Sequence, residues 1–371
     1  MLRPSRPSPL TPLVASVLCL GLIASGCAES EADDAYDAGS AEGAGTEAGS
    51  AQVAPSVSLD GSAADGPRLS YPAQGLADTI PGTAWTEADW AVLVDAVTTA
   101  TEAGVADLPM GEAVARVGAM FVGWPYTPQT LEAPWIEAAA AGEALNGSLE
   151  RLVVNLREYD CVSFVENALS LTHFVRAHGT SLLDDPAAAR AAYEDLIVSL
   201  RYRGAAMDGY ASRLHYFSEW LSDNAARGGL ELVHPMLDAA LDHEPIDFMT
   251  THVEAYPALA DDPASVDRIR EMEMGLNAEL PRPWVPEDRI ANVADGIRTG
   301  DVIAATSTVE GLDVAHTGIA IRVDGELRLM HAPLVGSEVQ ISPVPRADRI
   351  LEIGSQDGIL VARPLARPVS R

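Results

Sequence analysis

The chain has 371 residues, 47% of them hydrophobic and 21% charged, enough apolar material for a sizeable core and too much for disorder throughout. All 24 basic residues are Arg and the 54 acids bring the formal charge to −30, which argues against nucleic acid as a partner because phosphate contacts need a positive surface. A polytopic membrane protein is excluded as well, since the one long apolar run sits at the extreme N-terminus.

That run, Leu13 to Ala24, follows Arg3 and Arg6 and leads into Ser25-Gly26-Cys27. It is too short to span a bilayer comfortably and reads as a lipoprotein signal peptide over 1–26, with Cys27 the acylated N-terminus; an ordinary secretory signal with an incidental cysteine is the plainer alternative. Ala28 follows where an Asp would ask for retention at the inner membrane, so the expected location is the cell envelope, anchored in the outer membrane and facing the periplasm. Processing would remove Cys19 and lipidate Cys27, leaving Cys161 as the mature chain's one thiol with no intramolecular disulfide. Residues 27–70 are expected to be a disordered acidic tether: from Ala28 to Pro67 there are nine acids, no base and hardly a large side chain. As a Gly-rich coil such a tether reaches roughly 35 Å.

Residues 71–371 show no repeat, second linker or composition break, and read as one domain. Thr86 can cap a helix carrying Trp90, Leu93, Val94 and Val97 as far as Gly104, and a second helix runs through Val114, Val117, Met120 and Phe121 to Gly123. Leu152 to Leu156 is short, apolar and β-rich. Asp160 is a suitable N-cap for the next helix, whose face is Val165, Ala168, Leu169 and Thr172 and whose end is Gly179. Cys161 then starts that helix, where unsatisfied amides and the macrodipole favour a thiolate; a buried, inert cysteine is the alternative. Helices are also expected over Ala187–Leu200 and Ser212–Arg227, with Pro257 to Leu280 helical or looped. The C-terminal third changes period: Asp301–Ala305, His316–Val323, Glu326–Pro333 and Gly358–Arg363 read as strands, and Asp324-Gly325 as a hairpin turn. Helices first and antiparallel strands later indicate an α+β domain.

If Asp324-Gly325 is a two-residue turn, paired positions sum to 649, so His331 lies opposite Gly318 with His316 as its diagonal neighbour, near enough for two imidazoles to meet. Gly318 leaves room between them, and Leu327 and Leu329 on the same face are expected to pack against a helix. A cysteine at a helix start facing a sheet-borne histidine oriented by a second polar group is the arrangement of a thiol hydrolase; two unrelated strand histidines are the alternative.

In order along the chain, G-W-P-Y at Gly123 to Tyr126, Y-D-C-V-S-F around Cys161, R-T-G-D-V-I-A at Arg298 to Ala304, H-T-G-I-A at His316 to Ala320 and M-H-A-P at Met330 to Pro333 resemble the NlpC-type cell-wall cysteine hydrolases. The phrases L-V-V-N-L-R-E-Y-D-C-V-S-F-V-E-N, R-Y-R-G, G-Y-A-S-R-L-H-Y-F-S-E-W and F-M-T-T-H resemble one branch, the N-acetylmuramoyl-L-alanine amidase-like family, over about Met110 to Pro364. The resemblance implies a papain-like fold with N-terminal helices, a central antiparallel sheet and helical insertions. It also implies Cys161 as nucleophile, His316 as base, His331 as the residue orienting it and Tyr126 beside the oxyanion hole. The 35 positions from Tyr126 to Cys161, and Val-Ser after the cysteine, depart from the common pattern.

The implied reaction is cleavage between the lactyl group of N-acetylmuramic acid and L-alanine, with no cofactor. Arg203 and Arg213 are candidate partners for stem-peptide carboxylates, with surface salt bridges as the plainer role, and Tyr210, Ser212 and His215 could line the site or simply pack. No H-E-x-x-H and no paired-cysteine spacing supports a zinc site; His173, His178, His234, His243 and His252 call for a metal only if they cluster. The competing readings are an endopeptidase cutting between D-glutamate and the diamino acid, and a non-catalytic lipoprotein that binds peptidoglycan.

Overall fold

The computed structural model describes residues 67–71, 79–142, 149–334, 337–346, 350 and 353–367. The expected signal peptide and nearly all of the expected tether lie outside the described residues. No helix among the described residues is long and apolar enough to cross a membrane.

Helices dominate the first half. Thr86 caps α1 (Glu87–Glu102), its hydroxyl accepting the Asp89 amide at 3.0 Å, and α2 (Met110–Ala119) follows. A short α3 (Ala133–Ala141) was not anticipated. Then comes α4 (Cys161–His178), on which almost every residue from Cys161 to Val175 is buried. A helix buried all round belongs to the middle of a domain, and α1, α2 and α5 (Pro186–Arg201) pack against it.

Two expectations need correction here. Leu152 to Leu156 is extended but joins no ladder, because side chains take its backbone groups: Asp89 accepts the Leu156 amide, Arg201 donates to the Val153 carbonyl and Asn167 to that of Asn155. The helix expected from Ser212 begins only at Phe217 (α6, Phe217–Ala226), since Tyr210–Ser212 forms a separate turn and Arg213 pairs in extended backbone with Tyr202. Between Pro257 and Leu280 the chain makes one helical turn and then α7 (Pro263–Ala278); α8 (Glu287–Val293) follows.

The sheet is antiparallel. Its strands are β1 (Leu230–Leu232), β2 (Ala240–Asp242), β3 (Arg282–Pro286), β4 (Val302–Ser307), β5 (Val314–Val323), β6 (Glu326–His331), β7 (Gln340–Ile341) and β8 (Gln356–Pro364). They lie in the order β2-β3-β8-β4-β5-β6-β7, with β1 also beside β8. Helices first and an antiparallel sheet after make the fold α+β.

Strand alternation divides the interior. Val302, Ala304, Ile319, Ile321, Met330 and Leu360 join the helical core, while Ile303, Ala305, Ala320, Leu327, Leu329 and Ile359 join a second cluster containing Ile290 of α8. A third cluster, around Trp135, Tyr210, Tyr216, Phe248 and Ile269, holds α3 and α7 against the loops of the middle segment.

Candidate active site

The β5–β6 hairpin forms in the expected register, Val323 opposite Glu326 through Ile319 opposite Met330. Asp324 and Gly325 both have positive φ, 52° and 82°, the geometry of a type I′ turn. Gly318 then faces His331: a Cβ on Gly318 would lie 2.9 Å from the His331 Cβ and 2.7 Å from the Met330 carbonyl oxygen. The missing side chain is what lets the imidazoles meet. His316 Nε2 and His331 Nδ1 are 2.6 Å apart, with the rings edge-on at 77°, and both residues are buried. One ring donates this bond and the other accepts it.

The pair shares its strand face with Ala305 and Leu329, that is, with the second cluster and α8. Helices α2 and α4 pack on the other face, where Gly118 of α2 meets Met330, Phe164 and Ile319. Cys161 starts the helix α4, which packs on β5 and β6, and is not itself part of the sheet. A succession of neighbouring backbones leads to it instead: Gln340 pairs with His331, Val339 exchanges hydrogen bonds with Gly123 and Trp124, and Pro125 and Thr127 bond to Tyr159. The G-W-P-Y segment thus ties the turn before Cys161 to the sheet edge at the hairpin end that carries both histidines. Tyr126 is buried in this strip, bridged to Tyr159.

Cys161 is fully buried at the first position of α4. The helix start is held by a capping box in which Asp160 accepts the Ser163 amide at 2.7 Å and the Ser163 hydroxyl accepts the Asp160 amide at 2.9 Å. Thr130 donates to the other Asp160 carboxylate oxygen at 3.1 Å. The thiol expectation changes for the full chain, in which Cys161 is disulfide-bonded. That expectation concerned a processed chain; Cys19 and Cys27 are both still present here and lie outside the described residues.

The candidate substrate residues hold the fold. Arg213 is buried, with Nη1 on Glu132 at 2.6 Å and Nε and Nη2 on Glu150 at 3.1 and 2.8 Å. Arg203 grips Glu219 through Nε and Nη2 and donates to the Ala211 carbonyl. Both guanidinium forks thus bond internal acceptors, Arg213 buried and Arg203 with about a third of its side chain exposed. Ser212 donates to the Gly209 carbonyl at 2.6 Å. His215 Nε2 bonds the Tyr210 carbonyl at 2.8 Å, and burial, then the Arg213 charge, hold it well below the usual histidine range. The Tyr210 ring lies edge-on to Trp135 in the third cluster. His252 stacks on Phe248, and no metal-holding group of His, Cys, Asp or Glu occurs among the described residues.

Residues 116–353 match the family described as AmiA-like, N-acetylmuramoyl-L-alanine amidase-like. The chain belongs to this family. The solved structures it resembles include an N-acetylmuramoyl-L-alanine amidase from Bacteroides uniformis, at 30% identity and a TM-score of 0.59, covering 69% of this chain and 99% of that one. A Bacteroides fragilis protein named as a candidate xylanase is also similar, at 30% identity and a TM-score of 0.56, covering 66% of this chain and 98% of that one. No curated protein matches. At family level the protein is a cell-wall amidase with a peptidoglycan-related substrate.

Proposed function

We propose that this amidase-like protein is a cysteine hydrolase of the NlpC type with a papain-like active site, cleaving the amide between N-acetylmuramic acid and L-alanine. The observation that carries the reading is the buried His316–His331 pair at the hairpin end tied, through the G-W-P-Y strip, to the helix that starts at Cys161.

Attack by the Cys161 thiolate on the lactyl carbonyl carbon forms a C–S bond and puts the negative charge on the carbonyl oxygen. Amides of the first turn of α4, with Tyr126 beside them, receive that charge. His316 gives its proton to the L-alanine nitrogen as the C–N bond breaks, then takes a proton from the water that hydrolyses the thioester. With Nε2 bonded to His331, His316 presents Nδ1 for this work; His331 fixes the ring and, as acceptor, stabilises the imidazolium. On this reading Cys161 acts as a thiolate beside His316 in the processed chain. Lipidation at Cys27 would hold the enzyme beside its polymer.

Digestion of defined muropeptides, read by mass spectrometry, tests the bond cleaved. Release of the intact stem peptide is the expected result. Release of L-alanyl-D-glutamate would establish the endopeptidase reading in its place.

A further inference from the structure

Between α6, the paired strands β2 and β3 and the loop joining β4 to β5 lies a cavity of about 510 Å³, lined by none of Cys161, His316, His331 or Tyr126. It opens on the helical-core face of the sheet, one strand position from the histidine pair: Thr306, in its wall, pairs with Val314, and Ala305 before it, facing the other way, pairs with His316. Asp242, Glu244, Glu279, Glu310, Asp313 and Asp357 line it against a single guanidinium, Arg282. Arg282 is already engaged, 3.3 Å from Asp242 and 2.6 Å from the Glu244 carbonyl oxygen. His234 adds no charge near neutrality, because burial lowers its pKa. Trp284 and Leu312 supply apolar wall.

A concave site with so many carboxylates and little cation concentrates positive ligands. Burial holds Asp313 and Asp357 above the usual carboxylate range, with Asp242 adding to the effect at Asp357, and a cation seated among them would relieve both. Carboxylate oxygens can receive the N–H groups of an ammonium, the indole face attracts its charge, and the apolar wall accommodates its methylenes.

We propose that this cavity binds an aliphatic ammonium group and, resting on the amidase reading, that the group is the side-chain amine of a diamino residue in the peptide being cleaved. Charge selection then lies in this cavity rather than at Arg203 or Arg213.

The test compares N-acetylmuramoyl-L-alanyl-D-isoglutamyl-L-lysine with its Nε-acetylated form. The free amine should lower KM by about tenfold with kcat little changed, and added salt should shrink the difference. In the Asp242→Asn/Asp357→Asn variant the ratio of KM values should fall to about one; Glu310→Gln, on the exposed loop, should reduce it in part. Equal KM values for the two compounds in the wild-type protein would overturn the proposal. If neither compound is hydrolysed, the failure belongs to the amidase reading, and calorimetric binding of the same pair decides the cavity: tighter binding of the free amine by about tenfold supports it, and equal affinity rejects it.

Discussion

His331 is the residue whose removal separates orientation from nucleophilicity. In reduced His331→Ala, His316 loses the partner at 2.6 Å that fixes its ring, so kcat should fall by two to four orders of magnitude while the Cys161 thiol remains reactive to iodoacetamide. Loss of thiol labelling together with activity would instead mean that His331 supports the fold. His173 offers a different test. It is buried on α4 and held down to about 4 by burial first and Arg176 second. A histidine with a depressed pKa stays neutral in the fold while the unfolded chain takes up its proton below about 6.5, so stability is lost as pH falls through that window. The loss at pH 4.5 should be about 2 kcal/mol, and urea midpoints for His173→Gln should show a shallower decline between pH 7 and 4.5. The catalytic candidates were legible because each sits inside a short local string. The true partners of Arg213 were not, since Glu132 and Glu150 lie 81 and 63 positions away and nothing local announces them.

Among the elements, the hairpin was the most readable, because Asp-Gly fixes the turn and the turn fixes the register. Gly318→Ala should be costly for the same reason: the added methyl would meet a carbonyl oxygen at 2.7 Å, and overpacking of this kind typically costs 1–3 kcal/mol, roughly. A thermal unfolding scan and a turnover assay should show both losses, with the imidazoles driven apart. The β2–β3 pair is hard to read because β3 is Arg-Pro-Trp-Val-Pro, and two prolines disguise a strand that only reaches β8 over Val285 and Pro286. Its cavity was hidden with it. Asp160 could be recognised as a cap from its position, whereas Thr130, which steadies its second oxygen, comes from a loop 30 residues away. Asp160→Ala should cost about 1–2 kcal/mol in denaturant unfolding and release the helix start that holds Cys161.

For the whole molecule, composition and order of periods pointed to an α+β domain, and the sheet bears that out, with α4 as the element joining core to site. The Arg201–Glu166 pair on α5 and α4, 2.8 Å apart, brings two opposite charges into this interior together. The most direct measurement is release of stem peptide from a defined muropeptide by reduced wild-type protein and by folded Cys161→Ala. The wild type should turn over and the variant should match the buffer blank. Hydrolysis by the variant at the wild-type rate would contradict the assignment of that sulfur as nucleophile.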